Sequence, residues 1–228
     1  MTVSPFNFPL LIGLWSIADA IITGNTVVWK PSERYPSAAM LLANCFYQAG
    51  FPPGVLKVVH GGPSAVEKLL FQPLIKAVLF IGSDAAGERV HAHAIATRKR
   101  ITADLGSKNH RVINETTSKE KTLYSIARSA FGAVGQRCMA LSVAIFIGST
   151  SSWIPELVRI ASSLKVGCGS ETAVALGPLI TIAAKQRVET IIQRAVDEGA
   201  ILLLDGRNVE APSYPNGNFV GPTILSNV

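Results

Sequence analysis

The sequence predicts an α/β fold built on parallel sheets, and three observations support this prediction. Strand-like and helix-like segments alternate along the chain, with short connections marked by Gly and Pro. Residues 77–81 form a continuous apolar run, which is typical of a strand buried on both faces. The chain of 228 residues, 48% hydrophobic and 16% charged, is long enough for a buried core and one or two domains. We therefore expect sheets covered by helices, with right-handed crossovers.

Strands are predicted at segments that are rich in β-branched residues or continuously apolar. These segments are residues 27–30, 55–60, 77–81, 100–105, 111–113, 141–147 and 201–204. Most of them are followed closely by a helical pattern. The repeated order of strand and helix indicates that neighbouring strands pair in parallel.

Helices are predicted where apolar residues recur at the spacing of a helical face. These segments are residues 37–49, 64–70, 86–97, 118–131, 152–164 and 181–198. Ser37 is expected to cap the first helix, and Cys45 lies on its apolar stripe, which predicts a buried thiol. Ser64 and Glu67 have the spacing of a capping box at the start of the second helix.

The apolar segment at residues 10–22 is predicted to be a core element. It carries Asp19, follows two prolines and is shorter than the roughly 20 residues that a membrane span needs. It also lacks the basic region that precedes the apolar part of a signal peptide. Three cysteines cannot all pair and have no metal-ligand spacing, which favours a reducing, intracellular compartment.

The net charge of +6 and the pI near 9.4 raise the question of nucleic-acid binding. The longest basic run is only residues 98–100, so the excess charge is spread along the chain. A binding or structural role would therefore rest on the charge alone. A metal site is not expected either, because His91 and His93 would face nearly opposite ways on a helix.

Cys138 is a candidate for nucleophilic chemistry. It lies in a Gly-containing turn between a predicted helix and a predicted buried strand, a position that can expose a thiol. Arg137 beside it is expected to favour the thiolate, and backbone N–H groups in such a turn can stabilise an oxyanion. The alternative is a packed cysteine without a chemical role. Cys168, between two glycines, has no activating partner that the sequence reveals.

Two further segments have the composition of a nucleotide site. Residues 24–33 end a predicted strand with Lys30, Ser32 and Glu33, a set that can bind ribose hydroxyls at the carboxyl edge of a sheet. Residues 82–87 form a glycine-flanked turn from strand to helix, which lets a phosphate approach a helix N-terminus. Each segment taken alone is also compatible with a solvated turn.

Seven motifs, taken together and in this order, resemble those of the aldehyde dehydrogenase superfamily. They are residues 5–9 (PFNFP), 24–33 (GNTVVWKPSE), 50–55 (GFPPGV), 80–83 (FIGS, with Gly87), 105–109 (LGSKN), 135–138 (GQRC) and 217–223 (GNFVGPT). The resemblance runs along the whole chain. Residues 108–110, 135–142 and 217–228 look most like the CoA-acylating members that act on methylmalonate semialdehyde.

The resemblance implies an aldehyde-dehydrogenase-like α/β fold, with a Rossmann-type parallel sheet and part of a second α/β catalytic domain. Residues 1–106 would be part of the NAD-binding domain, and residues 107–228 would be part of the catalytic domain. The implied activity is NAD-dependent oxidation of malonate or methylmalonate semialdehyde, with CoA as acyl acceptor. This is a reaction of the type found in valine and thymine catabolism.

The resemblance also implies roles for individual residues. Cys138 would be the nucleophile, and Asn7 would hold the oxyanion together with the Cys138 backbone N–H. Arg137 would bind the substrate carboxylate through its guanidinium fork. The positions that match NAD-binding residues are Lys30, Glu33 and Arg34 at the adenosine ribose, Ser83 at the pyrophosphate, and Ser4, Phe6 and Leu105 at the nicotinamide.

Asp104 stands where many hydrolytic members of the superfamily have a glutamate that activates water. Aspartate is one methylene shorter, so its reach leaves this role open. The CoA-acylating members usually lack an acid at this position, which favours release of the acyl group to CoA.

The motifs begin and end inside the superfamily pattern, so the alternative is a truncated fragment with little or no activity. The resemblance implies a small-molecule semialdehyde substrate, no nucleic-acid or membrane partner, and a homo-oligomer, a tetramer, for the full-length enzyme. It also implies the mitochondrial matrix in a eukaryote or the cytoplasm in a bacterium.

Overall fold

A computed structural model describes all 228 residues, which divide into two compact units, Met1–Gly106 and Ser107–Val228. The first unit contains one sheet of five strands: β1 (Thr2–Val3), β2 (Val27–Lys30), β3 (Leu56–Val58), β4 (Ala77–Ile81) and β5 (Arg100–Asp104). Their order is β3-β2-β1-β4-β5, and every neighbouring pair is parallel. The predicted parallel sheet is therefore confirmed, and its strand order is of the Rossmann type.

Four helices connect consecutive strands of this sheet: α1 (Leu11–Ile22), α2 (Pro36–Gln48), α3 (Pro63–Leu70) and α4 (Asp84–Ala96). They pack on the sheet through two apolar clusters. In one cluster, Phe80 of β4 packs with Leu70 of α3 and Val90 of α4. In the other, the fully buried Trp29 of β2 packs with Ile17 of α1 and Ala39 of α2. Both clusters pack helices on strands that end at the same edge of the sheet.

The helix α1 corresponds to the apolar segment predicted as a core element. Only one of its faces is buried, at Ile12, Gly13 and Ile17, whereas Trp15 and Ile22 are 56% and 86% exposed. No helix in the protein combines the length and the apolar character that a membrane span would require.

The prediction of a buried Cys45 was wrong. The thiol is exposed, because the face of α2 that packs on the core consists of Ala39, Leu42 and Phe46. Those positions are three and four residues apart, as on a helical face, and Cys45 lies next to this face.

The capping box predicted for α3 was also wrong. The helix begins at Pro63 with Gly62 as its N-cap, and no side chain caps it. Proline at the first helical position already has the helical φ and needs no partner for an N–H. The helix therefore starts two residues too early for Ser64 and Glu67 to act as a cap.

The second unit contains two small sheets. The strands β6 (Asn109–Ile113) and β7 (Leu141–Phe146) pair in parallel, and β8 (Ile201–Leu204) and β9 (Ile224–Ser226) pair antiparallel. The expectation of parallel pairing throughout was therefore wrong for β8, whose partner was not recognised in the sequence. The helices of this unit are α5 (Lys119–Phe131), α6 (Ile154–Ser162) and α7 (Ile182–Asp197).

The core of the second unit lies between β6, β7 and the helices α5 and α6. Ile113 of β6, Leu123 and Ile126 of α5, and Leu157 and Ile160 of α6 are almost completely buried in it. The helix α5 ends at Gly132 as its C-cap, as the sequence predicts. Cys138 therefore lies in the connection between α5 and β7.

Gly13 provides a test of the packing of α1 on the sheet. A Cβ at this position would lie 2.5 Å from Cζ2 of Trp29. Helix propensity alone predicts that Gly13→Ala stabilises the protein by up to about 1 kcal/mol. Because of the overlap with Trp29, we expect a loss of about 1–3 kcal/mol instead, measured by urea unfolding. As a control, Ala18→Gly on the exposed face of α1 should cost no more than about 1 kcal/mol, and a gain in stability for Gly13→Ala would contradict this packing.

Candidate active site and nucleotide-binding edge

The carboxyl ends of all five strands of the first unit lie at the same edge of the sheet, because every pair is parallel. In such sheets ligands bind at this edge, near the point where the strand order reverses. The order reverses between β1 and β4. The candidate residues at or just beyond the strand ends are Ser4, Phe6, Asn7, Lys30, Glu33, Arg34, Ser83, Asp104 and Leu105. The structure thus brings the candidate residues of this unit to one edge.

Lys30 and Glu33 form an ion pair at the end of β2. The Lys30 side chain is only 6% exposed, and its Nζ lies 3.3 Å from Glu33 Oε2. The same ammonium donates a hydrogen bond to the carbonyl oxygen of Gly61 at 3.1 Å. Burial acts to raise the pKa of Glu33, but a hydrogen bond from its own backbone and the nearby Lys30 lower it overall. The pair therefore presents a fixed cation and an ionised acceptor, which suits the hydroxyls of a ribose.

Arg34 follows this pair and is exposed. Its backbone N–H donates to Ser32 Oγ at 3.2 Å, which shapes the turn after β2. No hydrogen bond or ion pair within the protein fixes the position of the guanidinium. Its positive charge contributes to the lowered pKa of Glu33.

The N-terminus of α4 is open to an anion. Ser83 is the N-cap, is exposed and makes no side-chain capping bond. The first N–H groups of a helix have no intrahelical acceptor, so a hydroxyl and several N–H donors meet at this end. Such a terminus fits one phosphate of a dinucleotide.

Asp84 connects this helix end to the segment after β5, a role that no sequence motif indicated. Its Oδ1 accepts a hydrogen bond from Gly106 N–H at 2.7 Å. Close by, Gly87 has no side chain, and a methyl group there would overlap Leu105. The residues around Leu105 are thus held against the first turn of α4. The spacing from Asp84 to Gly106 has no sequence signature, so only the fold reveals the contact.

Ser4 does not have the open position expected for a residue that lines a nicotinamide pocket. It is only 3% exposed, and Trp29 Nε1 donates a hydrogen bond to its Oγ at 2.8 Å. The hydroxyl therefore satisfies the buried indole N–H, a role that the resemblance did not suggest. Phe6 and Asn7, which follow in the chain, are half-buried.

Cys138 lies in the second unit at the tip of a tight turn. The N–H of Ala140 donates to the carbonyl of Arg137 at 3.0 Å, so Cys138 and Met139 are the two central residues of the turn. Cys138 is exposed, and Met139 is 69% exposed. The expected exposure of this thiol is confirmed, but β7, which follows, is buried only at Leu141.

The chain reaches this turn through a left-handed segment. Ala133, Val134 and Gly135 have φ angles of 52°, 55° and 71°. Glycine tolerates this region, but a β-branched residue such as Val134 does so only when its surroundings hold it there. The direction of the chain is thus sharply changed between the end of α5 and Cys138.

Gln136 fixes one side of the Cys138 segment. Its Oε1 accepts a hydrogen bond from the N–H of Ile180 at 3.0 Å, and its Nε2 donates to the carbonyl of Pro178 at 3.4 Å. The same Nε2 also donates to the carbonyl of Ala133 at 3.2 Å. One amide thus connects the left-handed segment with a loop that is distant in the sequence. Glutamine suits this position because its side chain both donates and accepts hydrogen bonds.

Arg137 binds the end of α5 rather than lying free beside the thiol. Its Nη2 donates to the carbonyls of Arg128 at 2.6 Å and Ser129 at 3.3 Å. Cations are favourable at a helix C-terminus, where carbonyls lack partners. A Cβ at Gly132 would overlap this guanidinium, so a larger residue there would displace the Arg137 side chain. The guanidinium thus has partners within the protein, whereas the effect of Arg137 on the thiolate stays a prediction.

One nitrogen of Arg137 nevertheless lacks a partner. Its Nε is buried and has no acceptor within the protein. A buried donor without an acceptor costs free energy, and an acceptor supplied by a ligand would remove that cost. The guanidinium thus has one N–H donor that no acceptor of the protein satisfies.

The carbonyl of Cys138 is held from the other side by two residues that the sequence analysis quoted only as part of a motif. Asn109 Nδ2 donates to it at 2.8 Å and to the carbonyl of Ala140 at 2.9 Å. The Ser107 hydroxyl donates to the Cys138 carbonyl as well. The Cys138 turn is therefore bound to the segment that begins β6, while Cys138 itself is exposed.

Cys168, which the sequence left without a partner, has one in the structure. Its Sγ lies 3.1 Å from Ser170 Oγ. Hydrogen bonds from the hydroxyl and N–H of Ser170, and then from the Tyr214 hydroxyl, lower the pKa of the Cys168 thiol. Tyr214 is 46 positions further along the chain, so no local sequence pattern predicts the contact.

No group of three or more His, Cys, Asp or Glu side chains in the protein is arranged to hold a metal ion.

Several known proteins are similar to this chain in sequence and in structure. Bovine methylmalonate-semialdehyde/malonate-semialdehyde dehydrogenase [acylating], mitochondrial, is 49% identical over 226 residues, which cover 99% of this chain and 42% of the bovine protein. The crystal structure of methylmalonate-semialdehyde dehydrogenase from Oceanimonas doudoroffii has a TM-score of 0.95 and 37% identity, and the match covers 98% of this chain and 46% of that one. The NAD⁺ complex of an aldehyde dehydrogenase from Bacillus cereus has a TM-score of 0.93 and 30% identity, covering 100% and 46% of the two chains.

The chain spans less than half of the length of the relatives that it matches. Across that span the backbone and the sequence agree with theirs, which confirms the expected α/β fold. The model of the aldehyde dehydrogenase family matches residues 1–228, which is the whole chain. The chain therefore belongs to the aldehyde dehydrogenase family.

Proposed function

We propose that this protein oxidises malonate semialdehyde or methylmalonate semialdehyde with NAD and transfers the acyl group to CoA. The observation that carries the proposal is the exposed thiol of Cys138, held at the tip of a turn by hydrogen bonds to its backbone. The similarity to acylating semialdehyde dehydrogenases supports the choice of substrate and acceptor.

In the first step, the Cys138 thiolate forms a bond to the aldehyde carbon, and the electrons of the C=O double bond move to its oxygen. The Asn7 side chain and the Cys138 backbone N–H would donate hydrogen bonds to this oxyanion. When the oxyanion collapses, the C–H bond breaks, and a hydride is transferred with its electron pair. The aldehyde carbon is thereby oxidised to a thioester on Cys138.

NAD supplies the hydride acceptor when it is bound. The residues of the first unit fit this group: the Lys30–Glu33 pair would bind the adenosine ribose, with Arg34 beside it, and Ser83 with the N-terminus of α4 would bind the pyrophosphate. Phe6 and Leu105 would line the nicotinamide pocket. For Ser4 we propose support of Trp29 rather than a side-chain contact with the cofactor.

Release of the product completes the reaction. The CoA thiolate attacks the thioester carbon, and the Cys138 thiolate leaves. The acetyl or propionyl product has one carbon fewer than the substrate. The C–C bond to the carboxylate therefore breaks, CO₂ leaves, the electron pair of that bond forms an enolate of the thioester, and the enolate carbon takes up a proton from water. Asp104 is exposed at the end of β5, and we propose that it does not activate water for this step.

The two units of the structure are proposed to have different roles. We propose that residues 1–106 are part of an NAD-binding domain and residues 107–228 part of a catalytic domain. We also propose that the enzyme acts as a homo-oligomer and in the mitochondrial matrix or the bacterial cytoplasm. The mitochondrial location is supported by the names of eukaryotic relatives, which include the word mitochondrial. The oligomeric state would be measured by light scattering of the purified protein.

Substitution of Cys138 tests the nucleophile. We expect Cys138→Ala to lower NADH formation from malonate semialdehyde by at least about 1,000-fold, because the proposed thioester forms on this thiol. Cys45→Ala and Cys168→Ala are matched controls and should keep the wild-type rate. Absorbance of NADH measures all three, and equal rates for Cys138→Ala and the wild type would eliminate this assignment.

Substitution of Arg137 tests recognition of the substrate carboxylate. We expect Arg137→Met to lower kcat/KM for malonate semialdehyde by about 10- to 100-fold, since a hydrogen bond to a charged group is lost. Propanal has no carboxylate, so its kcat/KM should change little. Arg137 also binds carbonyls of α5, and thermal unfolding of each variant separates that effect. A parallel loss for both aldehydes in a folded variant would contradict a role in carboxylate recognition.

The identity of the acyl acceptor is tested by omitting CoA. We expect sustained NADH formation only with CoA, and the same CoA-dependent rate in Asp104→Asn, because neither step uses that carboxylate. Free acid and acyl-CoA are separated by chromatography. Release of free acid at the same rate with and without CoA, and its loss in Asp104→Asn, would establish water as the acceptor instead.

A further inference from the structure

The segment that begins β6 carries a feature that the proposed function does not use. Pairing of β6 with β7 is regular from His110 onward, but the register shifts between Asn109 and His110. Asn109 is aligned with Leu141, and His110 with Val143, so Ser142 is an extra residue in β7. Such bulges redirect the chain and often lie beside active sites. At this bulge the side chain of Asn109 points to the turn that carries Cys138.

The amide of Asn109 bonds two carbonyls of that turn region. Its single Nδ2 has two hydrogens, and it lies 2.8 Å from the carbonyl oxygen of Cys138 and 2.9 Å from that of Ala140. The Ser107 hydroxyl is the second donor to the Cys138 carbonyl, and it also lies 3.3 Å from Asn109 Nδ2. The Cys138 carbonyl thus has donors for both of its lone pairs.

The Cys138 carbonyl belongs to the central peptide of the turn from Arg137 to Ala140. The two common turn types differ by a flip of this peptide, which changes ψ of the second residue and φ of the third. In this turn those residues are Cys138 and Met139, and Met139 is not among the residues with positive φ. A flip would move the Cys138 carbonyl away from Asn109 and rotate the backbone from which the thiol projects.

We propose that Asn109 is a positioning residue that fixes the orientation of the Cys138 peptide, and with it the direction of the thiol and of the Cys138 N–H. This inference rests on the proposed role of Cys138 as nucleophile. Ser107 assists through the same carbonyl. Attack on an aldehyde needs the thiol and the oxyanion donors in one fixed geometry, and small displacements are costly in rate.

The proposal predicts different effects on two reactions of the same thiol. Formation of the thioester depends on geometry, whereas alkylation by iodoacetamide needs only an exposed thiol. In Asn109→Ala and in the isosteric Asn109→Asp, which lacks both N–H donors, we expect the single-turnover rate of NADH formation to fall at least about tenfold. Alkylation of Cys138, measured by peptide mass spectrometry with Cys168 as internal reference, should stay close to that of the wild type.

Asn114→Ala is the matched control, because Asn114 lies just beyond the other end of β6 and only its local turn uses the side chain. It should retain the wild-type single-turnover rate. The dissociation constant for NAD should be unchanged in all variants. Urea unfolding confirms that each variant is folded, and Asn109→Asp keeps the test available if Asn109→Ala is unstable.

Two outcomes would overturn the inference, and they differ from failure of the proposed function. A single-turnover rate within about twofold of the wild type in both folded Asn109 variants would show that the peptide is fixed without this amide. Equal losses in NADH formation and in Cys138 alkylation would show burial or disorder of the thiol instead of misorientation. In either case the wild-type rate must still be lost in Cys138→Ala; if it is not, the proposed function itself fails.

Discussion

The arrangement of the candidate active site depends on side chains that take the place of a hydrogen-bond ladder. Between α5 and β7 the chain is irregular, so its backbone groups cannot find partners in a helix or a sheet, and unpaired buried groups are costly. Three side chains fasten this segment instead: Gln136 bonds a distant loop, Arg137 bonds carbonyls at the end of α5, and Asn109 at the start of β6 bonds carbonyls of the Cys138 turn. The backbone around Cys138 is thereby held, while the thiol itself stays exposed.

The first unit positions its groups by a different means. A parallel sheet places every carboxyl strand end at one edge, so residues far apart in sequence meet there without special contacts. Local bonds then adjust the edge: Lys30 is held by Glu33 and a carbonyl, and Asp84 holds Gly106. The topology sets the location of this site, whereas individual side chains set the location of the thiol in the second unit.

Much of the fold was predictable from sequence because apolar periodicity reports burial directly. The parallel strands β2 to β5, the helix α5 and its end at Gly132 follow from such patterns. Three features did not follow. β1 has only two residues, too few for a pattern. Cys45 lies next to the buried face of α2, a difference of one position. The partner of β8 lies after a long loop with no periodic signal.

The candidate site was predictable only as residue identities carried by motifs. Motif order indicated Cys138 as the candidate nucleophile. The contacts of Asn109, Asp84 and Cys168 join residues 22 to 46 positions apart, and no local rule predicts them.

The role of Cys138 as nucleophile is tested most directly by mass spectrometry of the protein mixed with malonate semialdehyde and NAD in the absence of CoA. We expect an acyl adduct on Cys138 that hydroxylamine removes, as is typical of a thioester. An adduct on another residue, or NADH formation with Cys138 unmodified throughout, would contradict it.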